Sequence, residues 1–571
     1  MVRSLFLICL FLSASHKYHS QNLSTPFELG NGNQTSTYQQ MVEFYNALEK
    51  YPGISLRQFG KTDSGEPLLV VYYNYDKNKL HGPDKGLVLI NNGIHPGEPD
   101  GIDASMRLLR DLALGKIPPL RGTSIAVIAS YNVGGMLNRN TSTRVNQNGP
   151  EEYGFRGNAR NFDLNRDFIK TDSRNAISFQ QLYHELNPDF FIDNHVSNGA
   201  DYQHILTYIA TNKQRLGEAL GAFYHDEMNP QIVNDLERKG IYAIPYVNVW
   251  GTTPDKGYEQ FMDSPRYATG YTSLFNTPGS VVETHMLKPY KDRVEVTYQN
   301  MLSHLHYLDK HWKTVKNYRQ ENQKEFTPGK IYNLQWQVDR SIVDSLTFRG
   351  YRGQIISSEI TGLERLKYDR NAPYIKKIAF YPTYKPTLSI TIPRYYVVPK
   401  SQWPVIEHLD RNKIITIPVK RDTVVTVESY SIGDFTTVKT PYEGHYLHSN
   451  VKVLSSQKTL TLKPGDLLIP TEQPGVKYLL ETLEPQGVDS FFAWNFFDSI
   501  LGQKEHYSDY VFEDTAKELL EKDPELRRRF HVLRSSNSSI LSNSRLQLDW
   551  IYKESEHYEK SHLLYPIFRI N

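Results

Sequence analysis

Histidine and glutamate occur in this sequence at a spacing that suits a metal site. His95 is followed three residues later by Glu98, in a turn rich in Gly and Pro that lies between the apolar run Leu87–Ile90 and a helix predicted from Asp100. A neutral imidazole and a carboxylate on one turn can supply two of the four positions that zinc takes in proteins. None of the other histidines of the chain has Glu three residues on.

A second apolar stretch leads to another histidine. The run Asp189–Asp193 predicts a buried strand, and Asn194 and His195 follow directly. A third ligand from a separate strand would complete a set of two imidazoles and one carboxylate, which leaves the fourth zinc position open as in catalytic sites. His204 and His285 are the alternative third ligands.

Guanidinium groups are crowded between these two segments. The stretch that begins at Arg156 contains Asp163, Asn165 and Arg166 within eleven residues. Because an arginine fork matches a carboxylate with two parallel hydrogen bonds, this stretch is a candidate anion clamp. The alternative is a solvated loop held by salt bridges.

One more apolar strand, Ser280–Val282, ends in a carboxylate, Glu283. In a half-buried zinc site such a group can act as general base on a water molecule. The alternative is an ordinary Glu after a strand.

Short apolar strands alternate with helical stretches from about residue 38 to 312, and the last helix is predicted over Arg293–Trp312. This pattern predicts an α/β fold, with a mixed and mostly parallel sheet flanked by helices. His95, His195 and Glu283 all come at strand ends. In open α/β sheets the carboxyl edge of the strands is where ligands bind, so these side chains are expected to meet there.

The second half of the chain has a different pattern of charged, apolar and polar residues. Residues 313–329 form a charged stretch that predicts a linker, and residues 330–480 alternate in the manner of a β-sandwich-like accessory region. Residues 481–571 mix aromatic residues with helical patterns. The predicted organisation is therefore residues 21–312 as the catalytic domain, then the linker, the β-rich domain and a mixed α/β C-terminal segment.

Composition narrows the function classes. The net charge of +2 over 571 residues favours neither nucleic acid nor stable membrane insertion. The only cysteine is Cys9, which excludes a disulfide framework and a cysteine zinc site.

The N-terminus has the pattern of a secretion signal: Arg3, the apolar run Leu5–Leu12 and the small residues Ser13–Ser15. This pattern predicts a cleaved signal within residues 1–20, and hence a secreted or periplasmic protein.

Taken in order, these motifs resemble the M14 zinc carboxypeptidase family over residues 38–312. The resemblance implies one Zn²⁺ per chain. It also assigns a role to each motif residue: His95, Glu98 and His195 as zinc ligands; Arg156 as the group that polarises the carbonyl, with Arg144 as the alternative; Asn165 and Arg166 as the pair that holds the substrate's terminal carboxylate; and Glu283 as the catalytic glutamate. Two features depart from the family pattern. Asn161 stands where the short form of the motif has Gly, and the family's mobile tyrosine has three candidates: Tyr258, Tyr267 and Tyr271.

The resemblance implies a metallocarboxypeptidase that hydrolyses the C-terminal peptide bond of peptides or proteins with a free terminal carboxylate, using zinc-activated water and Glu283 as general base. Two alternatives stay open. One is a related zinc amidohydrolase that acts on murein peptides or N-acyl amino acids. The other is a binding protein with a degenerate site.

Overall fold

The computed structural model describes residues 23–75, 84–536 and 538–571. The predicted signal segment, residues 1–20, lies outside these described residues. Within the described ranges, no helix has the length and apolar character needed to cross a membrane.

One eight-stranded sheet forms the framework of the N-terminal half, in the order β1-β2-β4-β3-β5-β9-β6-β7. Its central strands β4, β3, β5 and β9 run parallel. The pairs β1–β2, β2–β4 and β9–β6 are antiparallel, and β7 pairs parallel with β6. The predicted mixed sheet is therefore confirmed. The strand bounds are β1 Ile54–Phe59, β2 Leu68–Tyr73, β3 Gly86–Asn92, β4 Thr123–Ile128, β5 Phe190–Ser197, β6 Leu206–Ala210, β7 Ile244–Pro245, β8 Tyr258–Glu259 (in a different sheet) and β9 Gly279–His285.

Helices cover both faces of this sheet, which explains why β2, β3, β4 and β5 are buried along their whole length. The helix bounds are α1 Pro26–Leu29, α2 Tyr38–Leu48, α3 Asp100–Ala113, α4 Val133–Leu137, α5 Arg174–Leu186, α6 Lys213–Leu216, α7 Glu218–Ala222, α8 Asn229–Arg238, α9 Ala268–Ser273 and α10 Tyr290–Gln323, with a π-helical turn at Phe223–Met228 and 3-10 turns at Leu164–Arg166 and Pro254–Lys256. Helices α2, α3, α8 and α10 contribute to one hydrophobic core, and α5 and α9 contribute to the other.

Helix α10 differs from its predicted extent. It was expected to end at Trp312, but it continues to Gln323 and crosses most of the predicted linker. Buried polar contacts hold the extra turns: Arg319 Nη1 lies 2.6 Å from Asp189 Oδ1, and its Nε donates to the Asn276 carbonyl at 3.0 Å. The charged stretch is therefore a helix whose polar side chains point partly inward.

The C-terminal region is β-rich, as predicted, and its strands form three sheets of two, three and six strands. The three-stranded sheet takes β8 from the N-terminal half, and the six-stranded sheet takes β19 from the last residues of the chain. The strand bounds are β10 Ile331–Val338, β11 Asp344–Ser357, β12 Glu364–Tyr381, β13 Tyr384–Thr391, β14 Tyr395–Val398, β15 Ile417–Pro418, β16 Thr423–Thr437, β17 His448–Leu462, β18 Leu467–Pro470 and β19 Phe568–Ile570.

The remaining helices lie in the last third of the chain. Their bounds are α11 Trp403–Arg411, α12 Val476–Leu483, α13 Asp509–Lys522, α14 Pro524–Ser536, α15 Ser538–Leu541 and α16 Ser544–Glu554, with a 3-10 turn at Asp498–Leu501. Leu479 of α12 and Trp494 belong to the same buried cluster as Phe179 of α5. The C-terminal region thus shares a core with one face of the large sheet.

Candidate active site

Three side chains converge where the parallel strands β3 and β5 end. His95, Glu98 and His195 are all buried, and each offers one donor atom within 4.8 Å of the other two; no second group of this kind occurs among the described residues. His95 Nδ1 lies 3.2 Å from Glu98 Oε1, and His195 Nδ1 lies 3.0 Å from Glu98 Oε2. Two imidazoles and a carboxylate are a donor set that catalytic zinc takes in proteins.

The outward-facing nitrogen of each imidazole is held by a further carboxylate. His95 Nε2 lies 2.9 Å from Asp163 Oδ1, and His195 Nε2 lies 2.9 Å from Asp193 Oδ2. Such contacts keep a proton on Nε2 and make Nδ1 the nitrogen that is available to a metal, as in metal-bound histidines. The donors and their supports therefore fit a zinc ion.

The electrostatics of the two central groups follow from these contacts. Burial alone raises the pKa of Glu98, but the charges of Arg144 and His95 hold it well below its usual range. Burial lowers the pKa of His195, but Asp193 and Glu98 together raise it well above that of a free imidazole. The cluster without metal is thus a set of ion pairs that keeps the carboxylate ionised.

The alternative third ligands point elsewhere. His204 donates from Nδ1 to the Tyr242 carbonyl at 2.7 Å and accepts at Nε2 from the Arg349 amide at 3.1 Å. His285 bonds through Nε2 to the Ala200 carbonyl at 2.8 Å. Neither histidine joins the donor cluster.

Asp163 connects the cluster to the arginine-rich segment. It caps the 3-10 turn Leu164–Arg166 by accepting from the Asn165 amide at 2.9 Å, and its Oδ2 accepts from Arg156 Nη2 at 2.7 Å. The carboxylate that supports His95 therefore also sets the position of Arg156. Burial raises the pKa of Asp163, but His95 and the two nearby arginines lower it well below its usual range.

Asn161 is accommodated in the turn that precedes Asp163. Its φ of 64° lies in the left-handed region, which Gly adopts freely and Asn tolerates better than most residues. Its amide donates to the Asn158 carbonyl at 2.8 Å and closes the turn. Asn161 thus adopts the left-handed backbone conformation that Gly would adopt at this position.

Both candidate arginines for carbonyl polarisation reach the donor cluster. Arg144 Nη2 lies 2.6 Å from Glu98 Oε1, and Arg156 Nη1 lies 3.7 Å from the same oxygen. The Arg144 side chain is 12% exposed, whereas that of Arg156 is 45% exposed. Both residues line the cavity described below, so the geometry brings both together with the cluster.

Glu283 is aligned with His195 across the sheet. The two residues are register partners on the parallel strands β5 and β9. Burial raises the pKa of Glu283 to about 8; His195 opposes this shift, and Glu98, Asp193 and Asp263 add to it. A buried carboxyl next to the donor cluster is suited to proton transfer.

One cavity of about 680 Å³ brings the donor cluster, Glu283 and the two candidate arginines together. Its walls include the three donors and Glu283, and also Arg144, Arg156, Asn165, Arg166, Asp193, Tyr246, Phe261, Asp263 and Tyr267. Among the three tyrosine candidates, Tyr267 reaches the cavity. Tyr258 bonds to the Pro245 carbonyl, and Tyr271 bonds to Asn412 Oδ1.

Several residues in or beside the site were not predicted. Asp193 lies two residues before His195 and so faces the same side of β5, a spacing that could have marked it as a support. Asp263 is buried in the wall, and burial raises its pKa to about 6. Tyr442 contacts Arg166 from the C-terminal region, and no local motif marks it.

The chain is similar in sequence to known carboxypeptidases. Residues 41–205 match the family model described as zinc carboxypeptidase. Carboxypeptidase 2 of Trichophyton rubrum is 21% identical over 458 residues, which are 76% of this chain and 78% of that protein; the Trichophyton equinum protein of the same name is 22% identical over the same shares. A metallo-carboxypeptidase structure from Burkholderia cenocepacia aligns over 48% of this chain and 70% of that chain, at 16% identity and a TM-score of 0.38.

The His95–Glu98–His195 cluster at the edge of a mixed sheet, the family match over residues 41–205 and the similarity to curated carboxypeptidases lead to one conclusion. The chain is a metallocarboxypeptidase that is similar to the M14 zinc carboxypeptidase family over residues 41–205, with a β-rich C-terminal extension.

Proposed function

We propose that this enzyme removes the C-terminal residue from peptides or proteins whose terminal carboxylate is free, with one Zn²⁺ held by His95, Glu98 and His195. The observation that carries the proposal is the set of side chains that line one cavity. Metal-type donors, a buried carboxyl and the Arg166 guanidinium all line it.

Zinc, when bound, supplies Lewis acidity that polarises a carbonyl and makes water easier to deprotonate. Glu283 accepts the proton of the attacking water and delivers it to the leaving amine. Its position beside His195 supports this role, since the two residues are register partners on adjacent strands. The raised pKa of Glu283 favours proton exchange near neutral pH.

Arg156 stabilises the negative charge that develops on the carbonyl oxygen. Asp163 fixes its guanidinium through Nε at 3.1 Å and Nη2 at 2.7 Å, which leaves Nη1 directed toward the donor cluster. One preorganised donor at such a position lowers the activation barrier by about 3–4 kcal/mol. Arg144 is the alternative for the same role.

Arg166 and Asn165 bind the terminal carboxylate of the substrate. Both line the cavity on the segment that Asp163 caps. A guanidinium binds a carboxylate with charge-assisted hydrogen bonds. A fixed anchor for that carboxylate limits cleavage to the last peptide bond.

The experiment that tests this proposal combines Glu283→Gln with a mixed peptide library. We expect the variant to keep zinc at the parental stoichiometry of one per chain and to lose at least about 100-fold in kcat, because the proton acceptor is gone. Zinc content by mass spectrometry and released amino acids by chromatography are the two measurements. Glu237→Gln, an exposed glutamate on α8, is the matched control.

Parental activity in a zinc-loaded Glu283→Gln variant would show that Glu283 is not the base. Release of murein stem peptides or N-acyl amino acid products, without release from unmodified peptides, would instead identify an amidohydrolase. Zinc binding without any hydrolysis would identify a binding protein. We also propose export of the protein to the cell exterior or periplasm, on the evidence of residues 3–15.

A further inference from the structure

The loop between β16 and β17 reaches from the C-terminal region to the carboxylate-binding segment. Its end is the turn Tyr442–His445, which we call the hairpin tip. The Tyr442 amide donates to the His445 carbonyl at 2.7 Å, and the His445 amide donates back to Tyr442 at 3.1 Å. Glu443 and Gly444 have φ values of 49° and 85°, as in the tight two-residue turns of β-hairpins. The hairpin tip is therefore a closed, well-defined turn.

Three side chains of the hairpin tip bond to the segment from Asp163 to Asp172. Arg166 Nε donates to the Tyr442 hydroxyl at 2.9 Å. Glu443 Oε2 accepts from the Asp163 amide at 2.8 Å, and His445 Nε2 lies 2.8 Å from Asp172 Oδ2. The C-terminal region thus forms hydrogen bonds with the backbone and side chains of the segment that carries the proposed carboxylate anchor.

The contact with Tyr442 fixes one edge of the Arg166 guanidinium. Its Cζ lies 4.5 Å from the centre of the Tyr267 ring, and its Nη1 donates to the Asn165 carbonyl at 2.7 Å. Its Nη2 is 3.9 Å from the nearest Asp163 oxygen, beyond hydrogen-bond range. With Nε bonded to Tyr442 and one face covered by Tyr267, the guanidinium is held in one orientation. Nη2 makes no hydrogen bond to a described residue, so it is available to a ligand.

The Tyr442 ring is held independently of its hydroxyl. It stacks on Trp494 with ring centres 6.2 Å apart, and the Arg266 Cζ lies 5.7 Å from its centre. Trp494 is fully buried, so this support is rigid. Removing only the hydroxyl should therefore leave the ring in place and free Arg166 Nε.

We propose that Tyr442 is a positioning residue: it orients Arg166 toward the terminal carboxylate of the substrate, so that the C-terminal region completes the subsite. This inference rests on the proposed function. It assigns a role in substrate binding to the C-terminal region, whereas the proposed zinc ligands all lie in the N-terminal half of the chain.

The test is Tyr442→Phe, with Tyr446→Phe as the matched control, since Tyr446 lies on the same loop with its side chain half exposed. We expect the KM of Tyr442→Phe for C-terminal peptides to rise about fivefold to tenfold, because a charge-assisted hydrogen bond to the anchor is lost. The kcat should stay within about twofold of the parent, and zinc content should not change.

Inhibition separates positioning from a general structural effect. The released amino acid carries a free carboxylate, so its inhibition constant should rise in parallel with KM. Acetohydroxamate binds zinc without a carboxylate, so its inhibition constant should not move. Tyr446→Phe should match the parent in all of these values.

Equal KM and inhibition constants in Tyr442→Phe and Tyr446→Phe would overturn the inference and leave the proposed function standing. A parallel weakening of both inhibitors, or a fall in kcat at constant KM, would also overturn it, since either result indicates a disturbed site and not a misplaced anchor. If the parent enzyme releases no C-terminal residue, the proposed function fails first.

Discussion

At the scale of single residues, the active site depends on carboxylates that hold other functional groups. Asp163 contacts His95, Arg156 and the backbone of Asn165, all within 3.1 Å. Asp193 holds His195 from the opposite side and accepts a hydrogen bond from Asn91 at 3.1 Å. Each metal-type histidine therefore depends on a partner that does not itself belong to the donor set.

Asp193→Asn tests this dependence. We expect zinc affinity to fall about 10-fold to 100-fold, because a neutral amide makes His195 a weaker ligand than a carboxylate does. Zinc uptake at pH 7 should also release fewer protons than in the parent, where Asp193 raises the pKa of His195 and keeps it protonated until metal binds. Competition with a fluorescent chelator measures the affinity, and calorimetry in buffers of different ionisation enthalpy counts the protons.

The control for that experiment is Asp514→Asn, which changes an exposed aspartate on α13. Parental zinc affinity and proton release in Asp193→Asn would show that the contact with His195 does not support metal binding.

At the scale of elements, three parallel strands do the positioning. Strands β3, β5 and β9 are neighbours, and they bring His95, His195 and Glu283 to one edge of the sheet. Helix α10 supports these strands from one side, and its buried residues belong to the same core as Val88, Ile90 and Phe190. Its charged C-terminal turns stay helical because Arg319 and Asn322 are anchored in the protein interior.

His304 makes α10 sensitive to acid. Its Nδ1 donates to the Asn300 carbonyl at 2.9 Å, and its Nε2 is buried with no hydrogen-bond partner among the described residues. Burial lowers the pKa of His304 to about 4, whereas an unfolded histidine titrates near 6.5. Between these values the unfolded chain binds more protons, so this residue destabilises the folded protein progressively as the pH falls from about 6.5 to about 4.

We therefore expect His304→Gln to reduce the acid sensitivity of folding. Relative to pH 8, the parent should lose about 2 kcal/mol more of its unfolding free energy at pH 5 than the variant does, since Gln carries no titrating group. Urea denaturation at the two pH values measures the difference. His531→Gln, at an exposed position on α14, should behave like the parent. Equal pH dependence in His304→Gln and the parent would show that His304 is not buried in its neutral form.

At the scale of the whole molecule, the C-terminal region is part of the enzyme and not an appended module. It shares a hydrophobic core with helices α5 and α9, and the hairpin tip bonds to the segment that carries Arg166. Strand β12 also pairs with β8 of the N-terminal half. The division of the chain at residues 313–329 stays a prediction, and helix α10 runs across most of that range.

The three residues of the donor cluster, which we propose as zinc ligands, were predictable because each lies in a local pattern, a polar motif at the end of an apolar strand. His95, Glu98 and His195 needed no long-range information, and the mixed sheet followed from the alternation of strands and helices. Tyr442 could not be found this way, since it meets Arg166 across 276 residues of sequence. The end of α10 was missed because a helix that buries Arg319 has the composition of a solvated linker.

Strands β11 and β12 lie in the region that was predicted to be β-rich, but their long pairing was not predicted. The two strands are largely exposed and form a three-stranded sheet with β8. Exposed strands of this kind are set by their pairing, from Asp344 opposite Phe380 to Ser357 opposite Glu364, and pairing leaves no local signal in the sequence.

The proposed function requires that the enzyme recognise a free terminal carboxylate, and a comparison of two peptides tests this requirement. Two peptides of identical sequence, one with a free C-terminus and one with a C-terminal amide, are incubated with the zinc-loaded protein and followed by mass spectrometry. We expect single residues to be lost stepwise from the peptide with the free C-terminus, at a rate at least about 100-fold above any cleavage of the amidated peptide. The reason is that Arg166 and Asn165 bind the terminal carboxylate. Equal cleavage of both peptides, or cleavage at internal bonds, would contradict it.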